Sequence, residues 1–252
     1  MKMRVLASGS KGNSCYIESE NYRLLIDDGI LYKRLCALLE DVVPTSIKAI
    51  LVTHSHNDHI KGLASFVKKS GAKVYAPPLV IEDLKSIIPV EFLVGIPDEF
   101  DLEDIHVTVI HTSHDVLGSC GYLLNCNGKE MVYITDTGYL NRKYIKKLSN
   151  KDVYLLESNH DETMLMDGPY PYYLKQRVLS DKGHLSNGTC SMCLTQMCGK
   201  RTHHVILAHL SEINNTPDLA LKTVEEAFYD EGKELPTIIV ASQYEALDFI
   251  EV

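Results

Sequence analysis

The 252-residue chain predicts an α/β fold in which two mixed β-sheets carry helices on their outer faces. Three observations lead there. Apolar, β-branched runs of strand length come in consecutive blocks, helical spacing appears only between some of them and near the end, and no regular strand–helix alternation marks a parallel βαβ series. The length supports a large core in one domain, and 45% hydrophobic with 23% charged residues is ordinary for a globular chain.

The strand-like runs MRVLAS, SCYIES and YRLLIDDG come first, with the Gly-rich turn SGSKGN joining the first two. LYKRLCALLE reads as a short helix. IKAILVT, residues 47 to 53, is nearly all apolar and reads as a buried strand. HIKGLASFVKKSG places Ile60, Leu63, Ala64 and Val67 at helical spacing and stops at Gly71, which predicts one helix. KVYAP, VEFLV and the alternating IHVTVI are strands. GYLLNC and EMVYIT flank Asn127-Gly128, a hairpin signal. KDVYLLE and HHVILAH are again apolar strands. PDLALKTVEEAFYDEG is an amphipathic helix, capped by Thr216 with Pro217 at its first position. TIIVAS and EALDFIEV complete the strands. PYPYYLKQR reads as a Pro-started helix with Tyr170, Tyr172 and Tyr173 in the core. A stacking platform with Lys175 and Arg177 is the competing reading. No repeat or low-complexity segment interrupts the pattern.

No apolar run approaches the ~20 residues of a membrane span, and MKMRVLASGSKGNS lacks the longer apolar stretch of an export signal, so a cytoplasmic protein without a membrane partner is expected. Seven cysteines are then expected to be reduced. Cys190 and Cys193 are i,i+3 and share a helix face with Met197, which predicts small buried hydrophobes rather than a metal cluster. The formal charge of −9 argues against a broad basic surface. Two bound divalent cations would bring it to −5 and concentrate positive charge locally.

The stretch HSHNDH sets His54, His56, Asp58 and His59 within six residues, just past the strand IKAILVT. His54 and His56, at i,i+2, can point the same way. Asp58 and His59 sit where a helix begins and turn toward a second point, so one loop can serve two ions. Other metal-ligating types also follow strands: His114 after IHVTVI, Asp136 after MVYIT, and His209 at the end of HHVILAH. Imidazole and carboxylate together suit Zn, Mn or Fe. A carboxylate at Asp136 could bridge two ions. His111 competes with His114, whereas His106, His203 and His204 lie in or beside strands and read as ordinary histidines.

This set resembles the five-motif signature of the metallo-β-lactamase superfamily. The resemblance implies an αβ/βα sandwich with two metals in the cleft between its halves. It assigns His54, His56 and His114 to one metal, Asp58, His59 and His209 to the other, and Asp136 to both. His56 stands where redox diiron members carry Glu, which favours hydrolysis. Asp136 stands where some true β-lactamases carry Cys. Only 73 residues separate Asp136 from His209, too few for the inserted domain of the cleavage-factor and ribonuclease J types, so residues 1 to 252 are expected to form a single domain.

Glu157 ends KDVYLLE, and His184 lies in GHLSN. The pair partly resembles the ribonuclease Z arrangement, in which such a histidine helps protonate the leaving oxygen. LASGSKGNS, ESNHD, GHLSN and HLSEINNTP together resemble the YycJ/WalJ-like branch over essentially the whole chain. That branch implies metal-dependent nuclease action on DNA, including 5′-to-3′ exonuclease action, and its cyclic-phosphate phosphodiesterase relatives share much of the site. The expected reaction is phosphodiester hydrolysis by a metal-bridging hydroxide, with Asp58 orienting the water and His184, held by Glu157, protonating the leaving alkoxide. Ser10, Asn13 and His160 are candidate substrate contacts. The SGSKGN amides either face a phosphate or only close a hairpin. His184 has helix capping as its plain alternative. The expected substrate is DNA more than RNA, or a small phosphodiester. The alternative function is a glyoxalase II-like thioester or lactone hydrolase.

Overall fold

The computed structural model describes residues 1–252. Its strands are β1 (Lys2–Ala7), β2 (Ser14–Glu18), β3 (Arg23–Ile26), β4 (Ala49–Leu51), β5 (Lys73–Ala76), β6 (Leu93–Gly95), β7 (Glu99–Leu102), β8 (Ile105–His111), β9 (Cys120–Cys126), β10 (Lys129–Ile134), β11 (Val153–Glu157), β12 (His204–Ala208), β13 (Thr237–Val240) and β14 (Ile250–Glu251). Its helices are α1 (Tyr32–Leu39), α2 (Asn57–Ile60), α3 (Leu63–Ser70), α4 (Pro78–Leu84), α5 (Arg142–Leu148), α6 (Glu162–Asp167), α7 (Tyr172–Leu179), α8 (Asn187–Met197) and α9 (Pro217–Asp230). The strands form two seven-stranded mixed sheets, ordered β14-β1-β2-β3-β4-β5-β6 and β13-β12-β11-β10-β9-β8-β7.

The chain divides into two compact units. The first comprises residues 1–111, 116–129 and 242–252, and the second residues 112–115 and 130–241. In the first, β1, β2 and β3 pair antiparallel, and β3 to β6 continue in parallel. Its core joins Leu6, Tyr16, Leu25, Ile50, Phe66 and Val74, all fully buried. Burying a side chain of that size contributes about 1.5–3 kcal/mol, so the near-continuous apolar strands are what hold this layer. In the second unit β10 to β13 run parallel; the apolar residues of β10, β11 and β12 are buried, as parallel strands require, while those of the edge strand β13 are half-buried.

Register decides where polar residues gather. Ile26 pairs with Leu51, so the segments leaving β3 and β4 start side by side, and Asp27 N donates to Leu51 O. In the second unit Ile134 pairs with Leu156 and Glu157 with Ala208. Asp136, Glu157 and His209 therefore emerge at one edge of the parallel strands. Asn127 and Gly128 both have positive φ, 52° and 79°, the backbone an Asn-Gly hairpin turn demands.

Three local expectations are corrected. The helix expected from Ile60 to Gly71 is two, α2 and α3, broken at Gly62, whose N–H turns to Asp28 O. A Cβ at Gly62 would lie 2.1 Å from Ile30 O, so only glycine permits that approach. Of EALDFIEV, only Ile250–Glu251 pairs, against β1. PYPYYLKQR does form a helix, α7, but Tyr172 and Tyr173 are 67% and 74% exposed; Val178 makes the buried contact instead. The cysteines are all free, and Cys190, Cys193 and Met197 are buried on α8 as their spacing predicts. No helix is long and apolar enough to cross a membrane.

Candidate metal centre

In the first unit the chain leaves β4 through Thr53 into HSHNDH, and α2 begins at Asn57. His54 and His59 are buried, with ring centroids 4.0 Å apart. His54 Nε2 lies 3.1 Å from His56 Nδ1, and His59 Nε2 lies 3.6 Å from Asp58 Oδ2. The four side chains thus present two pairs of donor atoms. Nitrogens on the far sides of two rings are tied back: Thr53 Oγ1 is 3.0 Å from His54 Nδ1, and Asp27 Oδ2 is 2.8 Å from His59 Nδ1. Such outer partners fix the ring orientation and leave Nε2 as the ligand atom. The donor types, their convergence and this backing fit a divalent cation.

Asp27 is the main residue the sequence reading missed. It is fully buried and also accepts from Thr53 N and Thr53 Oγ1. Burial pushes its carboxyl up, and His59 and the Thr53 donors pull the other way without cancelling that rise. Beside it the Asp28 carboxyl, also buried, is pushed up to about 8 by burial and then by Asp27. The available signal was position: the Asp pair of LIDDG follows an apolar strand, as the other ligand candidates do.

Asn13 is fully buried and works inside the protein. Its Nδ2 lies 3.0 Å from His59 Nε2 and 3.3 Å from Asp58 Oδ2, and its N–H donates to Asp58 O. Gly29 packs here too, since a Cβ there would lie 1.7 Å from Asp58 O. The SGSKGN turn does not turn its amides outward as a set. The N–H groups of Gly9, Lys11 and Gly12 donate to Asn13 Oδ1, Gln243 Oε1 and Gly9 O. Ser10 is exposed at the tip of this turn, away from the histidine cluster's hydrogen bonds.

In the second unit Glu157, fully buried, is the hub. Its Oε1 accepts from Nδ1 of His184 at 2.7 Å and Nδ1 of His209 at 2.9 Å. Its Oε2 accepts from Thr137 N at 3.0 Å and Leu185 N at 3.2 Å. Burial alone would raise its pKa. The His184 charge and the imidazole hydrogen bonds outweigh burial and bring it down to about 2, against some opposition from Asp136. Glu157 is therefore an anion whose two oxygens already accept four hydrogen bonds. Burial lowers the His184 pKa, but Glu157 and then Asp136 more than offset this, and the net shift is upward.

Asp136 Oδ1 lies 3.6 Å from His209 Nδ1 and 3.9 Å from His114 Nε2. His114 is buried and its Nδ1 is 3.3 Å from Gly183 O. Oxygen and nitrogen donors of Asp136, Glu157, His184 and His209 lie within 4.8 Å of one another. Asp136 and His209 have left-handed backbones, φ 54° and 56°, and Asp27 in the other unit has φ 58°. Such conformations are uncommon outside glycine and collect at functional positions. His160 is buried close by, its pKa lowered to about 4 by burial, with Glu157 opposing. Of the histidines read as ordinary, His106 lies 2.7 Å from Asp101 and His203 3.4 Å from Asp152. His111, the competitor of His114, pairs on the surface with Asp98 at 3.0 Å.

Comparison with known proteins follows the same residues. The family model described as beta-lactamase superfamily domain matches residues 23–209. The chain is 37% identical over 234 residues to exodeoxyribonuclease WalJ of Streptococcus pneumoniae, covering 88% of this chain and 86% of that protein. It is 35% identical over 235 residues to exodeoxyribonuclease YycJ of Bacillus anthracis, covering 90% and 89%. Among solved structures, the metallo-beta-lactamase fold protein YhfI from Bacillus subtilis superposes with a TM-score of 0.74 over 98% of this chain and 99% of that one, at 18% identity. The two mixed seven-stranded sheets with their helices are accordingly the metallo-β-lactamase fold, and the chain belongs to the beta-lactamase superfamily.

Proposed function

We propose that this chain is a metal-dependent phosphodiesterase, a DNA exonuclease working 5′-to-3′. The observation that carries the reading is the Glu157–His184 pair set against Asp136: a buried anion holds one nitrogen of a mostly buried imidazole, 21% exposed, and leaves the other available. Ester hydrolysis with a poor alkoxide leaving group needs such a donor; thioester hydrolysis does not. The names and coverage of the two exodeoxyribonuclease relatives support the same substrate class.

Two divalent ions, Zn, Mn or Fe, fit the donor set. The assignment we adopt is that of the family: His54, His56 and His114 for one, Asp58, His59 and His209 for the other, and Asp136 for both. When bound, they would lower the pKa of a coordinated water toward about 7 and screen phosphoryl charge. Asp58 would orient that water. His184 Nδ1–H is held by Glu157, so Nε2 is the atom that gives its proton to the leaving alkoxide. Asp27, Thr53 and Asn13 position the ligand loop. Ser10 contacts the substrate from its exposed turn, and His160 supports the His184 side. Residues 1 to 252 act as one catalytic module.

The test compares metal-loaded protein on 5′-phosphorylated single- and double-stranded DNA, on a small phosphodiester and on a thioester. DNA hydrolysis that stops with a chelator is expected. Turnover of the thioester alone overturns the reading.

A further inference from the structure

Two exposed helix faces in the second unit are left unused by this chemistry. Helix α5 carries Arg142, Lys143, Lys146 and Lys147 at i, i+1, i+4 and i+5, all exposed, while Tyr144 and Leu148 are buried on the opposite side. It contains no acidic residue, in a chain whose net charge is −9. Helix α7 repeats the spacing with Tyr172, Tyr173, Gln176 and Arg177 exposed and Val178 buried. Gln176 Nε2 donates to Tyr172 Oη at 2.8 Å, and Arg177 pairs with Asp115. Tyr139, 43% exposed, stands between Asp136 and α5.

Both faces are tied to the Glu157–His184 pair by a few residues. His184 N donates to Val178 O in the last turn of α7, and Thr137 N donates to Glu157. At Gly138 the chain bound for α5 meets the chain leaving α7. A Cβ there would lie 2.4 Å from Ser180 O and 2.3 Å from the Asp181 carbonyl carbon. Two adjacent tyrosine rings, 67% and 74% exposed, stand on one helix face. A patch of one charge sign in an acidic protein has a polyanion as its complement. Rings for bases and cations for phosphates together are the chemistry that holds a single strand.

We propose that α5 and α7, with Tyr139, form the platform that grips the single DNA strand leading away from His184. This rests on the nuclease reading and names its substrate: a strand with unstacked bases rather than a small phosphodiester. Duplex DNA would be taken through a frayed end.

The experiment uses metal-loaded protein and a fluorescent single-stranded phosphorothioate oligonucleotide, which resists hydrolysis, with affinity read by anisotropy over a salt series. Tyr172→Ala/Tyr173→Ala should weaken binding about tenfold or more. Arg142→Gln/Lys143→Gln/Lys146→Gln should flatten the slope of log affinity against log salt by about 2, at about 0.7 per phosphate contact on a single strand. Hydrolysis of bis(p-nitrophenyl) phosphate should be unchanged in both variants, which also shows that they fold. Wild-type affinity and slope in both variants, while the wild type degrades DNA, overturns the platform and leaves the nuclease reading standing. A wild type that binds the strand through these residues yet hydrolyses no DNA overturns the nuclease reading and leaves the platform. A wild type that does not bind the strand overturns the platform.

Discussion

Replacing Glu157 by glutamine keeps the shape of the hub and removes its charge. The carboxylate accepts four hydrogen bonds, two imidazole donors on Oε1 and two backbone donors on Oε2. A glutamine has one acceptor oxygen, so its NH2 must face either His184 and His209 or the amides of Thr137 and Leu185. Each buried donor left facing a donor costs about 1–3 kcal/mol. Two of them, with loss of the charge-assisted bonds, give about 3–5 kcal/mol. The depressed pKa leads to a similar figure. The carboxyl falls from an ordinary 4.5 to about 2 in the folded protein, and at about 1.4 kcal/mol per unit this is about 3 kcal/mol. Because the folded pKa is depressed, that stability is fully present above pH 4.5 and is lost as pH falls from 4.5 toward 2. Guanidinium denaturation at pH 7 and pH 3 reads both effects. Glu157→Gln should be destabilised by about 3–5 kcal/mol at pH 7, with a weaker loss of stability on acidification than the wild type. A cost below about 1 kcal/mol, with the acid slope unchanged, would refute the hub.

Other outcomes follow from the same contacts. Asp27→Asn loses the anion behind His59 and should weaken divalent-cation affinity about 10- to 100-fold in a chelator competition assay; an unchanged affinity contradicts the orienting role. His184→Gln should lower kcat on DNA by about 10²–10⁴, with a much smaller loss on p-nitrophenyl diesters, whose leaving group needs no proton. The wild-type rate should fall as pH rises through the raised His184 pKa, above the ordinary 6.5, because the donor must be protonated. That alkaline limb should be absent in the variant; its persistence assigns the proton elsewhere. His160 is buried with a pKa of about 4, so the stability it secures is present above pH 6.5 and is lost as pH falls toward 4. His160→Leu should recover about 2 kcal/mol at pH 5 relative to pH 7 in urea melts, and parallel pH profiles would contradict this.

The candidate ligand loop stood out because four side chains of metal-ligating type crowd six residues after an apolar strand. Asp136 and His209 stood out by the same logic, since each follows a strand and parallel register carries those strand ends to one edge; His114 also follows a strand, but β8 pairs antiparallel with its neighbours. Asp27 obeys that logic too but hid as the tail of a strand; only the register of β3 on β4 places it behind His59. The helix break at Gly62 was invisible to periodicity because its cause is a tertiary contact with Asp28 O and Ile30 O. Tyr172 and Tyr173 misled for a similar reason. In eight residues either helix face can supply the apolar contact, and packing chose the side of Val178. Helix α5 is short, so its apolar stripe of Tyr144, Ile145 and Leu148 spans a single turn and gives little periodicity to read; Asn141 provides its cap by accepting from Lys143 N.

Metal-dependent hydrolysis of a DNA phosphodiester is tested most directly by digesting 5′-phosphorylated DNA in water enriched in 18O, with and without divalent cation. One 18O should enter the phosphate of each newly cleaved bond, none should enter the sugar, and nothing should be released in the presence of chelator. DNA breakdown without 18O in the phosphate, or breakdown that chelator leaves untouched, would contradict it.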